Sequence, residues 1–151
     1  MYVKSQKGTA VVEFAVILPL LLLIVFGIVE FGLIFYNQAI LTNASREGAR
    51  RAIVYRTDGS NNRIYSGTAI EDAVNQYLYT DYPETNNLRL VTFGADNLVI
   101  DPDGADGDQL ISQGDYILVT VQYDYNFLLL PSFAGLPESI TLTGKTSMRA
   151  E

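Results

Sequence analysis

The sequence has no cysteine, no histidine and no tryptophan among its 151 residues. Without cysteine the chain forms no disulfide and has neither a thiolate metal ligand nor a cysteine nucleophile. Without histidine it has no Ser-His-Asp triad, no histidine general base and no histidine-bound zinc. Nothing in the sequence places two carboxylates together as a glycosidase pair. We therefore expect a protein that is not an enzyme.

Positive charge is also scarce. The chain has 10 Lys and Arg against 17 Asp and Glu, which gives a formal net charge of −7. Residues 58–138 carry a net charge of −11, whereas residues 46–56 carry +3. An acidic domain repels nucleic-acid phosphates, so we expect no nucleic-acid partner. The arginines of residues 46–51 can contact anionic lipid headgroups, pair with the acidic domain or simply be solvated.

Hydrophobic residues make up 48% of the chain but are unevenly distributed. Residues 10–36 hold 22 apolar residues out of 27. As a helix, this segment would extend roughly 40 Å, which exceeds the ~30 Å hydrocarbon core of a bilayer. It has no polar stripe of the kind that a soluble core helix shows. It is also longer than a signal-peptide core, and no convincing cleavage site of that type follows it. The sequence predicts a transmembrane helix over residues 9–36.

Several residues inside this apolar segment bear on how it packs. Pro19 has no amide N–H, so the carbonyl of Ala15 loses its helical partner. Gly27 and Gly32 allow close approach of another helix, although Pro and Gly are frequent in transmembrane helices generally. Glu13 is unusual because a carboxylate in an apolar helix is costly and normally has a partner. At the headgroup interface it would need none.

The residues around Glu13, KGTAVVEF, resemble the processing region of type IV pilin-like precursors. In that group prepilin peptidase cuts after the Gly of a short basic leader, and a Glu is the fifth residue of the mature chain. The resemblance implies a leader of residues 1–8, cleavage between Gly8 and Thr9, and an assembly role for Glu13. A buried amine and carboxylate neutralise each other, so the new α-amino group of Thr9 can pair with Glu13 within a chain or between neighbours.

The whole segment resembles the TadE-like family, which are pilin-like proteins of the tight-adherence (Tad, or Flp) pilus system. The polar Thr9 departs from ordinary type IV pilins, whose mature chains begin with Phe or Met, and favours this branch. The features that carry the resemblance are VEFA at residues 12–15, Pro19, Glu-Phe-Gly at residues 30–32, the Ala-x-x-x-Gly-Ala-Arg run at residues 44–50 and the ending at residues 148–151.

The resemblance implies a minor pilin or pseudopilin, because the major subunits of these pili are much shorter. Its expected partners are other pilin-like subunits through the N-terminal helix, prepilin peptidase, the inner-membrane assembly platform and membrane lipid. The protein would cross the bacterial inner membrane once, with its C-terminal domain exported to the periplasm or cell surface, or lie in an extracellular pilus. The alternative is an uncleaved single-pass anchor that displays an exported adhesin or a domain binding an ion or ligand.

Beyond the apolar segment, no helix breaker occurs before residue 55, so we expect the helix to continue over residues 37–56. Ala44, Gly48 and Ala52 recur every four residues, which places them on one helix face where small side chains permit close packing. The turn-forming sequence TDGSNN at residues 57–62 ends the helix.

Residues 57–151 are predicted to form an α+β domain. Apolar spacing indicates a short amphipathic helix at residues 68–79. Alternating patterns predict strands at residues 115–126 and 139–148, and two shorter strands at 88–93 and 97–100 joined by a turn. Antiparallel pairing is expected because no second long crossover helix separates the strands. The expected plan is pilin-like: a long N-terminal transmembrane helix, a short helix and an antiparallel β-sheet.

Two segments of the domain suggest contacts with something outside it. Asp101, Asp103, Asp106 and Asp108 lie close together with two glycines, as in a Ca²⁺-binding loop, but their spacing is not that of an EF-hand. A solvated acidic turn explains them equally well, so no cofactor is expected beyond a possible Ca²⁺ ion. The apolar residues 127–137 are interpreted as a loop packed on the sheet, or else as a partner-contact or membrane-proximal patch.

Overall fold

The computed structural model describes residues 7–54, 57, 59–61, 64–80, 83, 87–91, 98–102, 108–110, 112–128 and 137–150. A long helix leads into a small domain of one short helix and antiparallel strands, which confirms the predicted α+β fold. The helices are α1 (Lys7–Ala52) and α2 (Gly67–Leu78). The strands are β1 (Ile64–Ser66), β2 (Tyr79–Thr80), β3 (Asn87–Leu88), β4 (Leu98–Pro102), β5 (Asp108–Leu110), β6 (Tyr116–Asn126) and β7 (Ser139–Arg149).

Helix α1 is a single helix of 46 residues that runs through Pro19. It ends at Ala52, whereas the sequence predicted helix as far as residue 56. After Ala52 the main chain tightens, because the Val54 N–H donates to the carbonyl of Arg51, three residues back, at 3.4 Å. An i to i−3 bond of this kind closes the last turn of many helices. Residues 55 and 56 lie outside the described residues.

The main sheet has the order β4-β6-β7, with β6 in the centre and both neighbours antiparallel to it. In β6 every second side chain is buried, which confirms the predicted alternation. The buried side chains of β6 are Ile117, Val119, Val121, Tyr123 and Tyr125. Two further antiparallel pairs, β1-β5 and β2-β3, complete the described strands.

Helix α2 lies where the apolar spacing predicted it. Its N-terminus is capped by the Ser66 hydroxyl, which accepts a hydrogen bond from the Ala69 N–H at 3.4 Å. Such a cap satisfies one of the amide groups that a helix start leaves unpaired. Ile70, Val74 and Leu78, three and four residues apart, are buried. They therefore form the apolar stripe that packs α2 onto the rest of the domain.

The strand predicted at residues 88–93 is wrong for most of its described length. Only Asn87–Leu88 forms a strand, and it pairs with β2. Residues 89–91 leave the extended ladder, and the Val91 main chain instead binds the side chain of Asn37 on α1. The expected neighbour, β4, pairs with β6. The predicted turn at residues 94–97 lies outside the described residues.

The second half of α1 and strand β7 run side by side in the same direction. Gln38 donates to the carbonyl of Thr143 at 2.8 Å, and further along the Ser45 and Thr146 hydroxyls are 2.7 Å apart. Between these contacts, a Cβ on Gly144 would collide with the backbone of Leu41. The helix therefore lies directly on the strand, and the core is closed between α1, α2 and the sheet.

Candidate functional site

The first half of α1 projects from the domain as an apolar stem, defined here as residues 8–29. The helix is long and apolar enough to cross a membrane, and none of its most apolar 18-residue window is buried within the chain. Its valines, leucines, isoleucines and phenylalanines are largely exposed. Folded proteins in water rarely leave a continuous apolar surface of this size uncovered. The stem is therefore a surface that needs lipid or another protein around it.

The domain begins to cover α1 at Glu30. Leu33 and Ile34 pack against the core, and Asn37 is fully buried. The predicted transmembrane span of residues 9–36 therefore ends with residues 30–36, one face of which packs against the domain. The stem that remains free, residues 8–29, extends about 33 Å as a helix, close to the ~30 Å of a hydrocarbon core.

The predicted processing residues lie at the start of the stem. Gly8 and Thr9 are exposed in the first turn of α1, and a Cβ on Gly8 would meet no atom within 4 Å. Glu13 is exposed one turn further on. Residues four apart on a helix are neighbours, so Thr9 and Glu13 share one face. The structure thereby brings the predicted cleavage position and the predicted assembly carboxylate close together.

Three further positions of α1 were expected to affect packing. Pro19 is exposed within the uninterrupted helix. A Cβ on Gly27 would meet no atom within 4 Å, and the same is true of Gly32 just beyond the stem. No described element of this chain approaches either glycine. Any close approach that they permit must therefore come from another molecule.

The small residues of the helix extension pack inside the domain. Ala44, Gly48 and Ala52 are all buried. A Cβ on Gly48 would lie 2.7 Å from the Val74 Cγ2 atom of α2 and 3.1 Å from the Val119 Cγ1 atom of β6. The face that these residues form therefore lets α1 approach its own domain closely.

Glu30 is the functional candidate that the sequence reasoning missed. Its carboxylate is 1% exposed and accepts two hydrogen bonds on Oε1. The Tyr125 hydroxyl donates at 2.7 Å, and the Leu128 N–H donates at 2.9 Å. We call Glu30, Tyr125 and Leu128 the junction. It joins the end of β6 to the residue of α1 at which the free stem ends.

The Glu30 and Tyr125 side chains of the junction are buried away from solvent. Burial, and then the hydrogen bond to Glu30, raise the pKa of the Tyr125 hydroxyl well above its usual range. The raised pKa means that the hydroxyl keeps its proton, and so remains a donor, at neutral pH. Phe127 packs edge-on against the Tyr125 ring with centroids 5.9 Å apart and covers it further. From the sequence, Glu30 looked like a margin of the apolar segment, although its place in the Glu-Phe-Gly motif was a signal.

Asn37 makes a second polar tie between α1 and the domain. Its side-chain amide donates to the Val91 carbonyl at 2.8 Å and accepts from the Val91 N–H at 2.9 Å. A primary amide presents the same donor and acceptor pair as a neighbouring strand, so it satisfies a main chain that has left the sheet. This contact joins residues 54 positions apart, and no motif in the sequence marks it.

The arginines of the helix extension face solvent. Arg50 forms an ion pair with Glu47 of the same helix at 3.2 Å, and Arg46 donates to Asn43 at 3.4 Å. Exposed pairs of this kind contribute only a few tenths of a kcal/mol, on the order of 0.3–0.5. Arg50 therefore pairs within its own helix and not with the acidic domain, which was one of the alternatives that the charge distribution left open.

The possible Ca²⁺ site is not described by the structure. Asp103 and Asp106 lie outside the described residues, while Asp101 and Asp108 are placed only as backbone in β4 and β5. Within the described parts of the chain, no group of three or more acidic side chains is arranged to hold a metal ion.

Comparison with known proteins identifies the stem. A family model described as TadE-like protein matches residues 8–50. The match begins at the predicted processing glycine, includes the stem and the junction carboxylate, and ends within the last turn of α1. The resemblance stated from the motifs is confirmed over this segment. No curated protein and no solved structure matches the chain.

Proposed function

We propose, from the TadE-like segment at residues 8–50, that the protein is a pilin-like structural component of a Tad-type pilus system. In this role it is a minor pilin or pseudopilin that supports pilus assembly and has no catalysis of its own. The single observation that carries the proposal is that the family match begins at the first residue of the uncovered apolar stem and includes all of it. A folded domain of considerable size beyond the stem favours a minor role, since major subunits are little more than a stem.

The stem anchors the protein in the inner membrane in a single pass. Its free length of about 33 Å matches a hydrocarbon core of ~30 Å, and in the bilayer its apolar surface is surrounded by lipid instead of water. Charge alone does not set the orientation, because basic residues occur on both sides of the stem. By analogy with pilin-like precursors, the leader lies in the cytoplasm and the domain is exported.

Processing supplies the group that Glu13 needs. Prepilin peptidase would cut between Gly8 and Thr9, and the α-amino group created on Thr9 would lie on the same helix face as the Glu13 carboxylate. A carboxylate in lipid is costly alone but tolerated when paired. The pair within one chain, or between two stems, lets the processed helix enter an apolar bundle. Gly27 and Gly32, where a Cβ would meet no atom of this chain within 4 Å, give such a partner helix room to approach.

Piliation of the host bacterium tests the proposal. Gly8→Phe blocks cleavage and Glu13→Leu removes the carboxylate, so both are expected to abolish or severely reduce pili. Val16→Leu, a conservative change at a stem residue that is 73% exposed and lies outside the VEFA motif, is the control and is expected to leave pili unchanged. Pili that persist in both Gly8→Phe and Glu13→Leu would overturn the proposal and favour an uncleaved anchor displaying a binding domain.

A further inference from the structure

The end of the domain at Phe127 and Leu128 lies beside the end of the stem. The Leu128 N–H donates to Glu30 at 2.9 Å, so the Leu128 main chain lies at the level of Glu30. The Leu128 side chain points away from this bond far enough to remain 44% exposed. An exposed leucine is therefore held next to the first residue that follows the free stem.

The helix presents apolar side chains at the same level. Ile28 and Phe31, on either side of Glu30, are both exposed, and Phe31 stacks on the exposed Phe35 with ring centroids 6.5 Å apart. Leu128 thus joins Ile28, Phe31 and Phe35 in a band of exposed apolar side chains near the end of the stem. Lipid that covers the end of the stem would therefore also reach Leu128.

The depth of this band follows from the length of the stem. Residues 8–29 extend about 33 Å, so a stem that crosses a ~30 Å hydrocarbon core places Glu30 close to the boundary with the headgroups. Apolar and aromatic side chains are stable at that boundary. The Glu30 carboxylate is tolerated there because Tyr125 and Leu128 satisfy it and shield it from lipid.

Among the residues that the structure describes, the one opposite Phe127 is acidic. The Phe127 N–H donates to the carbonyl of Glu138 at 3.3 Å, which places an exposed acidic residue next to it. Attraction to anionic lipid therefore does not explain a membrane contact here. The contact must instead come from apolar burial, and it should occur on zwitterionic lipid.

We propose that the end of the domain at Phe127 and Leu128 enters the lipid headgroup region on the side of the membrane where the stem meets the domain. This is a second membrane contact, beside the stem. The inference rests on the proposed membrane insertion of the stem. Leu128 and the helix then enclose Glu30 between them, and the domain is held at a fixed tilt on the bilayer rather than swinging on a free helix.

Spin labels on the full chain in phosphatidylcholine vesicles test this contact. The chain has no cysteine, so each added cysteine is labelled alone. Leu128→Cys keeps the bond to Glu30, because that bond uses the main-chain N–H. Leu21→Cys, 49% exposed on the stem, reports membrane insertion. Tyr116→Cys, 70% exposed at the opposite end of β6, reports the solvent-facing end of the domain.

We expect the label at Leu128 to collide with a water-soluble nickel chelate several-fold less often than the label at Tyr116, and with dissolved oxygen more often. Equal values at Leu128 and Tyr116, with the Leu21 label inside the bilayer, would overturn this inference alone. A Leu21 label open to the nickel chelate would overturn the membrane anchor and this inference together. Dipolar broadening between Leu128 labels would show that a second copy covers the patch, and would also overturn it.

Discussion

Glu30 and Tyr125 are 95 positions apart in the chain, and the Tyr125 hydroxyl donates to the Glu30 carboxylate at 2.7 Å in a buried site. One residue lies on α1 where the free stem ends, and the other lies on β6, the central strand of the main sheet. Their bond means that stem and domain meet as one packed unit. A displacement of the stem would therefore be transmitted to the sheet.

Removal of the Tyr125 hydroxyl tests the strength of this junction. Tyr125→Phe leaves the buried Glu30 with only the Leu128 N–H, and a buried group that loses a partner costs about 1–3 kcal/mol. Chemical unfolding in detergent, followed by circular dichroism, measures the change. Tyr116→Phe is the matched control on the same strand, where the ring is 70% exposed, and should change stability little. Equal effects of the two variants would contradict the assigned role.

A double-mutant cycle separates the bond from packing. Glu30→Leu removes the carboxylate that Tyr125 satisfies, so adding Tyr125→Phe to Glu30→Leu should cost less than Tyr125→Phe alone. Residues in one hydrogen-bond network show coupling energies of about 0.5–3 kcal/mol. Simple additivity of the two losses would show that the hydroxyl and the carboxylate do not depend on each other.

Alkaline pH gives a further test of the junction. The pKa of Tyr125 is raised in the folded protein, so its proton stabilises the fold below the unfolded pKa of about 10 and this stability is lost as pH rises beyond that value. Unfolding free energy should therefore fall above about pH 10. Tyr125→Phe should fall less steeply, and identical slopes would contradict the burial of an un-ionised hydroxyl.

The contact between α1 and β7 depends on Gly144. A Cβ there would collide with the backbone of Leu41, which cannot move without shifting the helix. Gly144→Ala should therefore destabilise the protein by at least the ~1–3 kcal/mol typical of overpacking. Gly48→Ala should cost less, because its Cβ meets side-chain atoms of Val74 and Val119 rather than main chain, and alanine favours a helix.

Gly59→Ala is the control for both glycine variants, since nothing lies within 4 Å of its Cβ position. Unfolding midpoints of the three variants in one detergent give the order directly. A Gly144→Ala protein as stable as Gly59→Ala would show that helix and strand are not in main-chain contact.

The amide of Asn37 should be hard to replace. Asn37→Leu leaves both the N–H and the carbonyl of Val91 without their partner, so a loss of about 1–3 kcal/mol or more is expected. Asn43→Leu, at an exposed position of the same helix, should cause a much smaller change. Hydrogen exchange at the Val91 amide provides a local readout, and unchanged protection in Asn37→Leu would contradict the contact.

Patterns that repeat locally were readable from the sequence. The uninterrupted apolar run predicted the stem, the period of Ile70, Val74 and Leu78 predicted α2, and the alternation of β6 predicted a half-buried strand. Each follows from side chains facing one side of a regular element, so neighbours in sequence suffice to reveal it. The VEFA and Glu-Phe-Gly motifs resemble the TadE-like family, whose model matches residues 8–50.

The junction could not be predicted in this manner. Whether Glu30 is a solvated margin or a buried acceptor depends on Tyr125 and on a main-chain N–H at residue 128, far away in sequence. The strand expected at residues 88–93 is wrong for a related reason, since the Asn37 side chain satisfies Val91 in place of a neighbouring strand. Long-range polar pairing leaves no periodic trace in the sequence.

The most direct test of the proposed pilin-like role is the intact mass of the membrane-extracted protein from cells with and without active prepilin peptidase. With the peptidase, the mass should fall by that of residues 1–8 and the new N-terminus should be Thr9. Without it, the chain should keep those residues. An N-terminus that is the same in both kinds of cell, with residues 1–8 retained, would contradict processing at Gly8 and with it the proposed role.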